Sequence, residues 1–124
     1  MINKIYTEKA PKAIGPYSQA IMVNNVIFTS GQIPVDPVTN EVSGNDIASQ
    51  AEQVMKNLSA VLAAGGATFD NVVKTTCFIA DMEDFAEFNK VYAKYITSAP
   101  ARSCVAVKGL PKGVLVEVEA IAYI

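Results

Sequence analysis

Three charged side chains, Arg102, Glu117 and Glu119, stand inside the most apolar stretch of the chain, residues 100–124. A charge in the middle of a strand is costly to bury unless it is paired or put to use. Here an arginine fork and a carboxylate could stand in one neighbourhood. Such a pair could hold and process a small anionic molecule; the same charges could also form a structural ion pair. The chain has no histidine, which removes Ser-His-Asp and Cys-His catalysis and the usual zinc sites. Any chemistry must therefore use carboxylates, hydroxyls, amides, lysine, arginine or thiol.

The elements that position these groups can be read from periodicity. Residues 100–124 read as two valine- and isoleucine-rich strands joined by a Gly/Pro-punctuated turn at 108–113. Paired as a hairpin, they would bring the Arg102 end near the later part of the second strand. Along that second strand Val114, Val116, Val118, Ala120, Ala122 and Ile124 share one side, which suits packing under helices. Leu115, Glu117, Glu119, Ile121 and Tyr123 share the other side. A face half apolar and half acidic reads as a subunit interface with polar groups set into it, so an oligomer is expected.

Upstream, residues 2–7, 19–23 and 26–30 are strand candidates, the last two joined by a tight Asn24-Asn25 turn. The Pro/Gly-rich segment 10–16 is a loop. Ser30-Gly31 follows the third strand; a glycine there either lets backbone approach a ligand closely or marks a bulge. Residues 36–45 form an exposed turn region. Residues 46–64 make the clearest helix, with Ile47, Ala51, Val54, Met55, Leu58, Val61 and Leu62 on one face, Asn45 or Asp46 as cap, and Gly65-Gly66 as stop. A strand over 72–80 precedes a helix opened by Asp81, Glu83 and Asp84, where negative charge suits the helix dipole. Its apolar stripe is Phe85, Phe88, Val91, Tyr92, Tyr95 and Ile96, with Asn89 beside it. The order β-β-β-α-β-α-β-β predicts an α+β domain with a mixed sheet of about six strands and two helices on one face.

At 124 residues the chain is expected to be a single domain, 1–124, and its 51% hydrophobic and 18% charged content excludes disorder. A net charge of −2 offers no nucleic-acid footprint. No apolar run approaches the ~18 residues of a membrane span, and the first residues lack the apolar core of a signal peptide, so a cytoplasmic protein is expected. Cys77 and Cys104 are then expected to be reduced.

Several motifs resemble the RidA family, also called YjgF/YER/UK, of enamine and imine deaminases. They are Ala13-Ile14-Gly15-Pro16-Tyr17-Ser18-Gln19, Ser30-Gly31-Gln32-Ile33-Pro34, Val73-Lys74-Thr75-Thr76, and the helix bearing Phe85, Phe88-Asn89 and Tyr92. Most specific are Pro100-Ala101-Arg102-Ser103-Cys104-Val105 and Val116-Glu117-Val118-Glu119-Ala120. The resemblance implies a chorismate-mutase-like fold assembled as a homotrimer, with sites in the clefts between subunits. It also implies a cofactor-independent, metal-free hydrolase acting on the imine forms of 2-aminoacrylate and 2-aminocrotonate. These would become 2-oxo acids and ammonia, which would protect pyridoxal-phosphate enzymes from the reactive intermediates. Under that resemblance Glu117 is the catalytic base and Arg102 binds the substrate carboxylate. Tyr17, Ser30, Gly31, Asn89 and the main chain at Cys104 complete the substrate-binding set. Tyr17 would come from a neighbouring subunit. Glu119 is read as structural, and Cys104 as pocket lining because no base stands near it to activate the thiol. The chain departs from the family pattern in the short link Ile96-Thr97-Ser98-Ala99 and at Val118. The competing reading is a non-catalytic trimer, regulatory or chaperone-like, that binds a small 2-oxo acid; ribonuclease or translation-inhibitor activity fits the acidic chain least.

Overall fold

The computed structural model describes residues 1–124. Its strands are β1 (Ile2–Ile5), β2 (Ala20–Val23), β3 (Val26–Thr29), β4 (Val72–Ile79), β5 (Ala101–Ala106) and β6 (Val116–Tyr123), with helices α1 (Ile47–Ala64) and α2 (Phe85–Tyr95). They follow the expected β-β-β-α-β-α-β-β order. The six strands form one sheet in the order β1-β2-β3-β6-β4-β5. Only β4 and β5 run parallel, as strands joined through a helix can.

Local chemistry explains most boundaries. The β2–β3 hairpin turns through Asn24, at φ +53, with Val23 opposite Val26. The first strand stops at Ile5, two residues short of expectation, because the Gln19 side chain takes over both backbone groups of Thr7. The Asp46 carboxylate accepts the Ser49 N–H at 2.8 Å and so caps α1, which ends at Gly65 ahead of a left-handed Gly66 (φ +86). All seven stripe residues of α1 are buried. Two polar residues join them. Asn57 donates to the carbonyls of Ile33 and Val35 at 3.0 and 2.9 Å, and Gln50 accepts from Leu115 N–H at 2.8 Å. These bonds tie the segment around Ile33–Val35, and Leu115 just before β6, to α1.

The two helices and the inward residues of the sheet enclose one core that includes Leu58, Phe88, Val116, Val118, Ala120 and Ala122. The alternation expected of the last strand holds from Val114 to Ala122, while Ile124 is 39% exposed at the end. The opposite sheet face stays open, with Phe28 46% and Tyr123 59% exposed. No helix is long and apolar enough to cross a membrane.

The expected terminal hairpin does not form. β4 lies between β5 and β6, parallel to the first and antiparallel to the second. The α2 crossover delivers β5 to the outer edge of β4. The connection after β5 then passes the end of β4 before β6 inserts beside β3. The Gly/Pro signals at 108–113 mark a connection with a short 3₁₀ turn, Pro111–Gly113, that reverses the chain without pairing β5 to β6.

Candidate functional site

The position of β4 decides where the two central charges lie. Arg102 is opposite Thr75 on β4, and Glu117 is opposite Phe78, three residues further along. With strands about 4.8 Å apart and a rise of about 3.3 Å per residue, the two backbones are separated by roughly 10 Å in each direction. They also face opposite ways. Arg102 shares a face with the buried Thr75 and with α2, whereas Glu117 points to the open side of the sheet, between Val116 and Val118 that point inward. Within one subunit the expected Arg102–Glu117 neighbourhood does not exist.

Around Arg102 the partners are aromatic. Its guanidinium carbon lies 4.9 Å from the Tyr92 ring centroid and 5.5 Å from that of Phe85, within cation–π range. One Nη1–H donates to Asn89 Oδ1 at 2.7 Å. No carboxylate pairs with it; the ion pairs of the chain are Lys90–Glu87 and Lys94–Glu52. Since a guanidinium carries five N–H donors, most of its fork remains available. Tyr92 is itself fixed by a 2.7 Å hydroxyl bond to Thr75. Asn89, Phe85 and Tyr92 therefore fix where a cation on the edge strand sits.

Cys104 belongs to this cluster, directly opposite Cys77 across the β4–β5 ladder. Burial pushes the Cys77 thiol up to about 12. It raises that of Cys104 as well, against the opposing influence of Arg102. Both shifts disfavour the thiolate.

A second cluster occupies the open face. Tyr17, Ser30, Gly31, Ile33, Pro111 and Glu117 line a hollow of about 330 Å³. The strand-like pairing of Gln32 with Val118 lays the Ser30-Gly31 segment against β6. Glycine at 31 leaves the carboxylate its place, because a Cβ there would sit 2.0 Å from Glu117 Oε2 and would displace that side chain. The Ser30 hydroxyl donates to Ser18 carbonyl at 2.6 Å, leaving its lone pairs to accept. The Gly31 N–H makes no hydrogen bond within the chain. Tyr17, 53% exposed, accepts from Ile14 N–H through its hydroxyl at 3.4 Å. Desolvation, and then the like charge of Glu119, raise the Glu117 carboxyl above its ordinary range. That is the perturbation expected of a carboxylate used as a base.

The seven expected site residues thus fall into two sets. Arg102, Asn89 and Cys104 stand at the β5 edge, and Glu117, Gly31, Ser30 and Tyr17 line the open-face hollow. Periodicity places Phe85 and Tyr92 only on the apolar stripe of α2, and the structure adds their contact with the arginine. Their spacing from Asn89 on one helical face is the sequence signal that links them to it. No three of the chain's Cys, Asp and Glu side chains converge as metal ligands. What this arrangement can do is grip an anion at one place and take a proton at another.

Residues 7–124 match the family model described as Endoribonuclease L-PSP. A RutC family protein of Pyrococcus abyssi is 54% identical over 120 residues, covering 96% of this chain and 94% of its own. The crystal structure of RidA from the Antarctic bacterium Psychrobacter sp. has a TM-score of 0.95 at 43% identity, with 98% of this chain and 99% of that chain covered. That of Escherichia coli TdcF with bound serine also scores 0.95 at 43% identity, with 98% of each chain covered.

Proposed function

The chain belongs to the family described as Endoribonuclease L-PSP, the RidA or YjgF family, and from that premise we propose that it hydrolyses small 2-imino acids to 2-oxo acids and ammonia. The observation that carries this reading is the Arg102 guanidinium, held on two aromatic rings and one amide with no carboxylate of its own. Such a cation is prepared for an anionic ligand, and a 2-imino acid offers a carboxylate of matching geometry. The relative crystallised with serine binds an amino acid of the same size class.

Because Arg102 and Glu117 lie on opposite faces of the sheet, one subunit cannot apply both to a molecule this small. We propose a homotrimer in which the β5 edge of one subunit meets the Glu117 hollow of the next. Tyr17 then enters the cleft from the same subunit as Glu117, and Arg102 with Asn89 from the other. The exposed apolar side chains of the open face, Phe28 and Tyr123 among them, supply surface for the contact.

The chemistry follows from the groups. Arg102 fixes the carboxylate, which places the imine carbon over the hollow. Glu117 takes a proton as a water oxygen bonds to that carbon and the C=N electron pair moves to nitrogen. With the imine in its protonated, iminium form, this gives a neutral carbinolamine. Glu117 then returns the proton to its nitrogen, the C–N bond breaks to release ammonia, and Glu117 takes the hydroxyl proton as the carbonyl forms and passes it to solvent. General base catalysis of this kind is worth roughly 10²–10⁴-fold. RNA cleavage, which the family description names, finds neither a basic face nor a histidine in this chain of net charge −2.

The test supplies 2-aminoacrylate from serine with a dehydratase and follows pyruvate release with and without this protein. Acceleration that disappears in Arg102→Ala supports the reading. An unchanged rate, together with Arg102-dependent binding of 2-oxobutanoate, would instead identify a sensor of 2-oxo acids.

A further inference from the structure

The hollow that holds Glu117 continues beyond Gly31. Tyr17, Gly31, Ile33 and Pro111 line both it and a second cavity of about 260 Å³. The second cavity has an apolar wall that includes Ile14, Ile33 and Val35, and it carries two cations, Lys12 and Lys112. Neither lysine takes part in an ion pair. Glu8 shares a neighbouring hollow with Lys12 but does not line this cavity. Lys112 holds a left-handed backbone at φ +58, a position where glycine or asparagine would sit without strain. A strained residue beside a candidate site is an observation from which function can be inferred. The proposed imine chemistry uses neither lysine, nor does a substrate as short as 2-iminobutanoate reach past Gly31 to fill the cavity.

On the deaminase reading above, we propose that this cavity is a side-chain subsite selecting 2-imino acids that end in a second carboxylate, such as 2-iminoglutarate. The α-carboxylate rests on Arg102 and the imine carbon faces Glu117. The methylenes cross Ile14 and Ile33, and the distal carboxylate lies between Lys12 and Lys112. Both lysines are exposed, so each contributes as a solvated point charge and the selectivity is modest, about tenfold for the pair. It weakens as salt rises, because exposed charges are screened within about 8–10 Å at physiological ionic strength.

Amino-acid oxidases generate 2-iminobutanoate and 2-iminoglutarate in solution, and semicarbazide traps whatever imine survives. The wild-type protein is expected to hydrolyse the diacid at least as efficiently as the monoacid. Lys12→Gln/Lys112→Asn, in which asparagine tolerates the left-handed backbone, should lower the diacid-to-monoacid ratio of kcat/KM about tenfold, through KM, with a smaller drop at 0.5 M salt. Hydrolysis of 2-iminobutanoate with a ratio that the double variant leaves unmoved overturns the subsite. Hydrolysis of neither overturns the deaminase reading instead, and the subsite is then judged by titrating 2-oxoglutarate against 2-oxobutanoate. Tighter binding of the diacid, weakened in the double variant, upholds it; equal binding of the two ends it.

Discussion

The β5 edge and the open-face hollow hold the two halves of one proposed site, and they are built by opposite means. At the edge a permanent cation is kept soft and available, stacked on Phe85 and Tyr92 and steadied by Asn89. In the hollow a half-buried carboxylate lies against Gly31, partly desolvated and beside the like charge of Glu119, so that its proton affinity rises. The first arrangement favours binding, because most of the arginine's donors are unspent. The second favours proton transfer, because a base works best with its pKa moved toward the working pH. The difference teaches that affinity and turnover should separate under mutation, and that a lone subunit holds both groups without being able to use them together.

Removing the cation should have the largest effect. Arg102→Ala is expected to cut kcat/KM by about 10³-fold, the value of a desolvated charge-assisted pair, with a raised KM as its main component. Steady-state kinetics on 2-iminobutanoate checks this. Next comes Glu117→Gln, expected to lower kcat by roughly 10²–10³-fold while ligand affinity stays within a few-fold. The same substitution should raise Tm at pH 7 by about 1–4 °C, as read by calorimetry. The sign follows from the raised carboxyl. The folded state holds this proton more tightly than the unfolded chain, so stability is lost as pH climbs from the ordinary glutamate value, about 4.3, through the elevated folded one. The charged form of Glu117 is therefore a cost to the fold that glutamine relieves. By the same shift, the acid limb of the kcat profile should turn at a pH above the ordinary glutamate range.

Smaller effects should distinguish positioning from chemistry. Gly31→Ala drives a methyl into the Glu117 carboxylate and should lower kcat by about 10–10²-fold while near-native Tm is kept, since the side chain can swing away from the sheet. Asn89→Ala removes one hydrogen bond from a guanidinium that still rests on two rings. A three- to ten-fold rise in KM with little change in kcat is expected, in line with about 1 kcal/mol for such a bond. A change in kcat larger than in KM for Asn89→Ala would place it in the chemistry rather than in holding the arginine.

How much of this could be read in advance depends on range along the chain. Local signals were accurate: the 46–64 stripe, its Asp46 cap and its glycine stop, the Asn24 turn, and the alternation of the last strand all reflect contacts within a few residues. The expected pairing of β5 with β6 fails because two apolar runs around a Gly/Pro segment look like a hairpin whether or not a third strand comes between them. What separates them is β4, whose partners are set by the α2 crossover. The buried polar links from Gln19, Gln50 and Asn57 were also invisible, since periodicity follows apolar residues and these reach across the fold. The residue types of the proposed site are legible in the sequence, and their placement on two faces of the sheet is not. Residue types report chemistry, whereas sheet order decides which face each group occupies.

The central claim is that Arg102 and Glu117 act on one substrate from two different subunits, and mixing two inactive variants tests it most directly. Arg102→Ala and Glu117→Gln chains are each purified, combined in equal amounts, unfolded and refolded together, and assayed on 2-iminobutanoate. Random assembly of a cyclic trimer leaves about a quarter of the clefts with both groups intact, so activity should return to about a quarter of wild type. A mixture as inactive as its two components, with mixed trimers demonstrated by mass spectrometry, would contradict the account.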